Sequence, residues 1–265
     1  MRSFEFGICA TQGERGYQED SAVVWPGEST FPWEREALPE AADDRLVAVL
    51  ADGMGGHAGG ALASKAVCEA FVEIYAAADT QQSSHENLMA ALDAGNSRIA
   101  DIVQEDPALS GMGSTLVAAI FSPAGMEWIS VGDSPLYLYR RAEIALLNED
   151  HSLAPALDKL AEEGRITAAQ AKADPRRHML RSAITGEELD LIDVSRKPLV
   201  LEKDDYIIAA SDGIHTLESE RLTRVVTSHA ADGPKAICEA IIREIDGCRE
   251  PFQDNATVIA VRATV

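Results

Sequence analysis

The stretch LVAVLADGMGG, residues 46–56, begins as an unbroken apolar run and ends in an aspartate followed by glycines. A run of this length fits a strand that is buried on both faces. A second stretch, YIIAASDG at residues 206–213, has the same design. In each, a carboxylate follows the predicted strand, and the next residue is a glycine that we expect to let the chain turn sharply. Asp52 and Asp212 are therefore predicted to lie at the ends of buried strands.

Outside these two stretches, predicted strands occur in runs and predicted helices occur in pairs. Apolar spacing predicts one helix pair over residues 63–74 and 88–102, with a capping box at 83–86, and a second pair over 221–228 and 234–245. Because this order is not a strict βαβ alternation, it favours an α+β sandwich of antiparallel sheets covered by helix pairs. The predicted strands cover residues 4–10, 21–25, 46–51, 114–121, 126–131, 136–140, 144–147, 189–194, 199–201, 206–210 and 256–263.

Composition limits the classes of function that need to be considered. The chain has 265 residues, of which 46 % are hydrophobic, enough to bury a sizeable core, and we expect a single domain over 1–265. Its net charge of −21 repels nucleic-acid backbones and anionic lipid, so neither is expected as a partner. Residues 26–44 are acidic and proline-rich, which indicates a surface insertion. Residues 153–178 are helical and charged, which indicates a small excursion from the main body.

The sequence also bears on location. Its apolar runs have the length of strands, and the first residues lack the apolar segment of a signal peptide, so we expect neither a membrane span nor secretion. The four cysteines lack the spacing of a zinc site, and we expect them to be reduced and mostly buried. A cytoplasmic location is predicted, and a monomer is expected.

Further acidic residues have a placement like that of Asp52 and Asp212. Two other Asp-Gly pairs, at Asp232 and Asp246, follow helical patterns and are expected to be simple turns. Three sites adjoin predicted strands instead. They are Glu19 with Asp20 before residue 21, Asp133 in the turn SVGDSP, and Asp254 with Asn255 before the last strand.

Eight blocks of the chain carry a further signal through their order. They are RGYQED (15–20), LADGMGGHAGG (50–60), GMGSTL (111–116), VGDS (131–134), EDHS (149–152), HMLRSAITG (178–186), AASDG (209–213) and DNATV (254–258). Taken in this order, they resemble the metal-dependent protein phosphatases of the PPM family, also called type 2C phosphatases, in their bacterial form. The resemblance runs from about Phe6 to Val261. It implies a four-layer αββα sandwich of two mainly antiparallel sheets flanked by helix pairs, with residues 153–178 as a small helical flap.

The resemblance implies hydrolysis of phosphoserine and phosphothreonine in proteins by a hydroxide that bridges two Mg²⁺ or Mn²⁺ ions. By this resemblance, Asp52 bridges the two ions, and Asp212 and Asp254 hold the first. Glu19 and the carbonyl of Gly53 serve the second ion, partly through water. The resemblance also implies that Asp20 supports these ligands by hydrogen bonding, and that Asn255 and His57 lie near them. Asp133 matches a ligand of a third, weaker ion.

Arg15 is assigned to the substrate phosphate, because a guanidinium can donate two parallel hydrogen bonds to phosphate. Arg15 and Asp52 are thus the predicted catalytic residues. Two positions depart from the family pattern. Met54 stands where many eukaryotic relatives have a histidine proposed as general acid, which leaves the acid unassigned and His57 as one candidate. Pro135 stands where the family usually has arginine.

Alternatives from other classes remain open. The chain could be a catalytically silent regulator that binds phosphoproteins, although every expected carboxylate ligand is present. It could also be a metal-dependent hydrolase of another small phosphate ester. For the leading hypothesis, the expected partners are phosphorylated Ser/Thr proteins in bacterial signal transduction, including a bacterial Ser/Thr kinase or its substrates. Arg176, Arg177 and His178 form a local positive cluster that either attracts such substrates or is a solvated turn.

Overall fold

The computed structural model describes residues 3–32, 45–56, 58–78 and 82–265. Most of the predicted insertion, from residue 33 onward, lies outside the described residues, and so does His57. The strands within the described ranges are β1 (Phe4–Thr11), β2 (Asp20–Trp25), β3 (Leu46–Met54), β4 (Gly113–Ser114), β5 (Leu116–Ser122), β6 (Gly125–Val131), β7 (Leu136–Arg140), β8 (Glu143–Leu146), β9 (Asp193–Val194), β10 (Tyr206–Ala210) and β11 (Ala256–Ala263). The helices are α1 (Ala58–Ala77), α2 (Ser84–Glu105), α3 (Ala154–Glu162), α4 (Ala168–Ala173), α5 (Ser219–His229) and α6 (Pro234–Cys248).

These strands form two antiparallel sheets. The first sheet has the order β1-β11-β10-β7-β8, in which β11 pairs with β1 along its whole length and with β10 over residues 258–262. The second sheet has the order β2-β3-β5-β6-β9, with the short β4 paired to the end of β3. The runs 46–51 and 206–210, which the sequence predicts as buried strands, both lie inside these sheets and are buried.

Three apolar cores hold the layers together. Side chains between the two sheets, such as Leu50 and Phe121 of the second sheet and Ile259 of the first, form the central core. Helices α1 and α2 cover the outer face of the second sheet, and α5 and α6 cover the outer face of the first. The layers therefore follow the order helix, sheet, sheet, helix, which confirms the predicted α+β sandwich.

The first helix pair is close to the prediction, with one error. Ser83 accepts a hydrogen bond from the Glu86 N–H, and the Glu86 side chain accepts one from the Ser83 N–H, so the capping box is confirmed. Such a cap stabilises a helix by about 1 kcal/mol. Ile74, however, is 42 % exposed, so the prediction from its apolar spacing with Ala63, Val67 and Ala70 that it faces the core is wrong. At this end of α1 the larger Phe71 and Tyr75 are buried instead.

Two predicted strands are shorter than expected. The strand expected over 189–194 is reduced to β9, and residues 199–201 form no strand, only a single bridge between Leu199 and Met126. Pro198 has no N–H to donate, and the Ser195 hydroxyl accepts the Trp128 N–H that a strand carbonyl would otherwise take. The edge of the second sheet is therefore irregular here.

Other expectations concern helices and cysteines. Residues 153–178, predicted as the flap, form the short helices α3 and α4. None of the described helices combines the length and hydrophobicity that a membrane span requires. All four cysteines are free thiols, but only Cys68 and Cys238 are buried, whereas Cys9 and Cys248 are half-buried.

The fold brings five chain segments to one end of the sandwich. Asp20 at the start of β2 is paired in register with Asp52 near the end of β3. In the other sheet, β10 ends just before Asp212, and β11 begins just after Asp254. Because neighbouring strands are antiparallel, strand ends and strand starts meet at the same edge. The turn from β6 to β7, which carries Asp133, completes this end.

Candidate metal and phosphate site

A cleft of about 840 Å³ lies at this end of the sandwich. Most of the site residues that the sequence predicts line it: Arg15, Glu19, Asp52, Gly53, Asp133, Asp212, Asp254 and Asn255. Asp20 is 6 % exposed and lies beneath the lining. The cleft therefore gathers carboxylates from segments that are widely separated in sequence.

Asp52 is held in place through its backbone by residues that the sequence analysis did not single out. The Asp52 N–H donates to the Thr115 hydroxyl at 3.0 Å, and the Asp52 carbonyl accepts from the Ser114 hydroxyl at 2.9 Å. The Thr115 hydroxyl also shares a 2.8 Å hydrogen bond with Ser134, next to Asp133. The signal that could have identified them is the Ser-Thr pair in the block GMGSTL, since buried hydroxyls need partners.

The two glycines that follow the strand carboxylates are both packed closely against neighbouring backbone. Neither has a positive φ, and β3 continues through Gly53 to Met54. A Cβ on Gly53 would lie 2.1 Å from the Gly60 carbonyl oxygen, and one on Gly213 would lie 2.1 Å from the Asn255 carbonyl oxygen. The predicted sharp turn is wrong at Gly53, where β3 continues, whereas Gly213 does lie in a 3₁₀ turn, Asp212–Thr216, that follows β10. Glycine is required because neighbouring backbone approaches too closely for any side chain.

Asp20 joins the two sheets below the cleft. Its carboxylate accepts a 2.7 Å hydrogen bond from the Ser211 hydroxyl, which in turn accepts the Thr257 N–H of β11. Burial, with a smaller contribution from the carboxylates of Asp212 and Asp254, raises the pKa of Asp20 to about 7, although the hydrogen bond from Ser211 acts in the opposite direction. Its other oxygen, Oδ1, is buried with no hydrogen-bond partner among the described residues.

Asp254 and Arg15 form an ion pair across the mouth of the cleft. This pairing raises the pKa of the Arg15 guanidinium, as do the carboxylates of Asp212 and Glu19. The Arg15 side chain is 53 % exposed, so it borders open solvent on its other side. The arginine that the sequence assigns to substrate phosphate thus lies at the cleft, with a predicted metal ligand as its partner.

Asn255 fixes the loop that carries Arg15 and Glu19. It is 4 % exposed, and its amide oxygen accepts the Glu19 N–H at 2.7 Å. Its amide nitrogen donates to the carbonyls of Gln12 and Tyr17 at 2.8 and 3.1 Å. The predicted supporting residue is therefore a buried amide whose hydrogen bonds all go to one site loop.

The turn that carries Asp133 is held from the other side of the cleft. Gly132 has a φ of +104°, and its N–H donates to Nδ1 of the buried His151 at 3.2 Å. Burial, followed by the carboxylates of Asp212 and Asp150, raises the pKa of Asp133 to about 7. Pro135 is buried, and its carbonyl accepts the N–H of Ala210 at the end of β10.

Comparisons with known proteins fit this arrangement. The family model described as protein phosphatase 2C matches residues 37–231, which is more than half of the chain. The chain belongs to the protein phosphatase 2C family. It is 36 % identical over 222 residues to the serine/threonine protein phosphatase PstP of Mycobacterium tuberculosis, covering 82 % of this chain but only 40 % of PstP. It is 34 % identical over 187 residues to the protein phosphatase PhpP of Streptococcus pneumoniae, covering 69 % of this chain and 74 % of PhpP.

A crystal structure of the PstP catalytic domain in complex with two manganese ions has the same fold as this family member. The two structures superpose with a TM-score of 0.74 and 27 % sequence identity, and the match covers 99 % of each chain.

The electrostatics of the cleft in this type 2C chain favour cations. Burial raises the pKa of Asp52 well above its ordinary value, and the carboxylates of Asp20 and Asp212 add to the effect. Burial and Asp254 likewise raise the pKa of Asp212. Carboxylates crowded in this way repel one another, and bound cations relieve that repulsion. All the donors are oxygen atoms, which suit Mg²⁺ or Mn²⁺.

The side chains themselves are not yet arranged as a ligand set. In the described part of the chain, no group of three or more His, Cys, Asp or Glu side chains stands in an arrangement that could hold a metal ion. One of the predicted ligands, Asp254, is paired with Arg15. The donor chemistry therefore fits two hard cations, but Asp254 must first leave Arg15.

The positive cluster beside the cleft is mostly neutralised. Arg176 pairs with Asp174 at 2.8 Å, and Arg177 makes two hydrogen bonds to Asp158 at 2.8 and 2.7 Å. Both arginines thus bind carboxylates of their own segment. His178 does line the cleft, as does the exposed Arg181, which the sequence analysis placed in a block but gave no role.

Proposed function

We propose that this chain is a metal-dependent phosphatase that hydrolyses phosphoserine and phosphothreonine in proteins. The observation that carries the proposal is the gathering of Glu19, Asp52, Asp212 and Asp254 in one cleft with Arg15 at its mouth. Membership in the type 2C family and the names of PstP and PhpP support it. Because the chain spans about two fifths of the length of PstP, what PstP does as a whole protein is carried over only as part of this proposal.

Two Mn²⁺ or Mg²⁺ ions are the proposed cofactors. Asp52, Asp212 and Asp254 would hold one, and Asp52 with Glu19 and the Gly53 carbonyl would hold the other. Asp133 is the proposed ligand of a third, weaker ion. When bound, such ions polarise the phosphoryl oxygens and lower the pKa of a water molecule so that it can attack phosphorus.

The remaining groups of the chain act on position and charge. Arg15 would donate parallel hydrogen bonds to the phosphate oxygens after it leaves Asp254. Asn255 keeps Arg15 and Glu19 on a rigidly bonded loop, and Thr115 and Ser114 fix the backbone of Asp52. Such prior fixing lowers the entropy lost in reaching the transition state.

The proposed substrates are phosphorylated Ser/Thr proteins, including those of a bacterial Ser/Thr kinase. The open cleft mouth, where half of the Arg15 side chain is exposed, supports a protein segment as substrate. We further propose that the protein acts in signal transduction, in the cytoplasm and as a monomer. A silent phosphoprotein-binding role is the alternative outcome of the test below.

The test measures phosphate release from p-nitrophenyl phosphate and from a phosphothreonine peptide, with Mn²⁺, with Mg²⁺ and with EDTA. We expect release with the metals and none with EDTA. Asp212→Asn should reduce kcat by about 100-fold or more, since metal stabilisation contributes several kcal/mol to the transition state. Asp232→Asn is the matched control, because Asp232 also precedes a glycine but lies at the surface beside His229. Folded, metal-loaded protein that releases no phosphate would overturn the proposal in favour of the binding role.

A further inference from the structure

Gln253 connects three loops of the cleft, although it does not line the cleft itself. It stands directly before Asp254 and is 6 % exposed. Its amide nitrogen donates to the Gly213 carbonyl at 3.2 Å and to the Asp254 carbonyl at 3.1 Å. Its amide oxygen accepts from the Thr216 hydroxyl at 2.6 Å. Both amide hydrogens and the amide oxygen are therefore used.

Two of these partners, Gly213 and Thr216, belong to the segment that begins with Asp212. Residues Asp212–Thr216 form a single 3₁₀ turn, and Gln253 holds it at Gly213 and again at Thr216. A hydrophobic side chain at position 253 could fill the space but would leave the buried Gly213 carbonyl and the partly buried Thr216 hydroxyl without this partner. One amide group thus links the segments that carry Asp212 and Asp254 beyond the last residue pair of β10 and β11.

The backbone of Gln253 extends the connection to the third loop. Its carbonyl accepts the Glu14 N–H at 2.9 Å, next to Arg15. Gly13, in the same loop as Glu14, packs against the backbone of Gln253. It has a φ of +59°, and a Cβ there would lie 2.6 Å from the Gln253 carbonyl oxygen. Asn255, two residues on, holds the far end of that loop through Glu19.

We propose that Gln253 is a positioning residue for the metal site: it fixes Asp254 relative to Asp212 so that both can bind one cation. The inference rests on the proposed function, in which these two aspartates share an ion. Groups that orient metal ligands from behind typically change metal affinity by about 10- to 100-fold when they are removed. Gln253 acts on the ligands through hydrogen bonds to their loops, without touching the ion.

The experiment measures the dissociation constant for Mn²⁺ by calorimetry on the full chain. We expect Gln253→Leu, which keeps the volume and removes the hydrogen bonds, to weaken Mn²⁺ binding by about 10-fold or more. Gln253→Glu should weaken it at least as much, because a carboxylate would face the carbonyl oxygens of Gly213 and Asp254. Thr216→Val, which removes one bond, should have a smaller effect, and Thr216→Ser should restore the wild-type constant.

Val226→Ala is the control for a purely structural effect, since Val226 is fully buried between α5 and the first sheet. It should lower the Tm and leave the Mn²⁺ constant unchanged. Phosphatase activity of Gln253→Leu should return towards wild type as Mn²⁺ is raised, with KM for the peptide little altered. An unchanged Mn²⁺ constant in Gln253→Leu, or in Thr216→Val if the former does not fold, would overturn the inference alone. A wild-type chain that binds no Mn²⁺ would overturn both the inference and the proposed function.

Discussion

On the floor of the cleft, Asp20 and Asp52 are paired across the neighbouring strands β2 and β3. In the flap, residues 153–178, Asp158 lies on α3 and Asp174 directly follows α4. The floor carboxyls have raised pKa values because they are buried among like charges. The flap carboxyls have lowered pKa values because arginines bind them. The surroundings of an aspartate thus disfavour its charged form on the floor of the cleft and favour its charged form in the flap. Such perturbation in a cleft is typical of a functional site.

The largest effect should come from neutralising the floor. Asp52→Asn keeps the shape of the side chain and removes the charge that would bridge two cations. We expect kcat for phosphate release to fall by about 100-fold or more, while the metal-free protein becomes more stable because like-charge repulsion is reduced. Kinetics with Mn²⁺ measure the change in kcat, and urea unfolding in EDTA measures the change in the stability of the metal-free protein. Equal kcat values for wild type and variant would break the distinction between floor and flap.

The next effect concerns close packing under the floor. Gly213→Ala places a Cβ 2.1 Å from a backbone oxygen that cannot move aside, so we expect a loss of about 3 kcal/mol or more in the free energy of unfolding. Gly247→Ala, in α6, is the control: a Cβ there has nothing within 4 Å, and alanine should stabilise the helix by about 0.5–1 kcal/mol. Urea unfolding of both variants measures the contrast. A Gly213→Ala protein of wild-type stability would contradict the packing account.

In the flap, Arg177→Gln removes the two hydrogen bonds to Asp158. Since both side chains are partly exposed, global stability should change by less than about 1 kcal/mol. Amide hydrogen exchange over residues 153–178 should become faster, while exchange in β3 and β10 stays the same. Faster exchange in those strands would show that the flap and the floor form one cooperative unit.

The smallest effect should follow from Arg176→Gln. Arg176 holds the pKa of Asp174 at about 2, below its ordinary value of 3.8. A depressed carboxyl pKa stabilises the folded state above about pH 4, and this contribution is lost as the pH falls through about 2. In the variant, the Asp174 pKa should rise towards 3.8, as read by NMR titration of its carboxyl carbon, and the Tm at pH 7 should hardly change. A pKa that stays near 2 would mean that the backbone N–H of residue 176 alone lowers it.

Much of the fold could be predicted because apolar residues recur along the chain in the runs and spacings that buried strands and helices require. The bounds 136–140, 206–210 and 256–263 agree with the strands to the residue. The predictions failed at Ile74 and at residues 199–201, where burial or pairing depends on contacts that the local sequence pattern does not record. An apolar residue near a helix end looks the same in sequence whether or not anything covers it.

For the candidate site, the chain itself determined which residues carry charge and that each adjoins a strand, and those residues do meet in one cleft. The sequence could not show that Gly53 and Gly213 face neighbouring backbone, that Arg15 pairs with Asp254, or that Gln253 and Asn255 connect the loops. These contacts join residues as far apart as Glu19 and Asn255, separated by 236 positions. Local patterns report which face of an element is buried. Only the packing of the two sheets against each other decides which loops come within hydrogen-bond distance, because the loops belong to strands that are far apart in sequence.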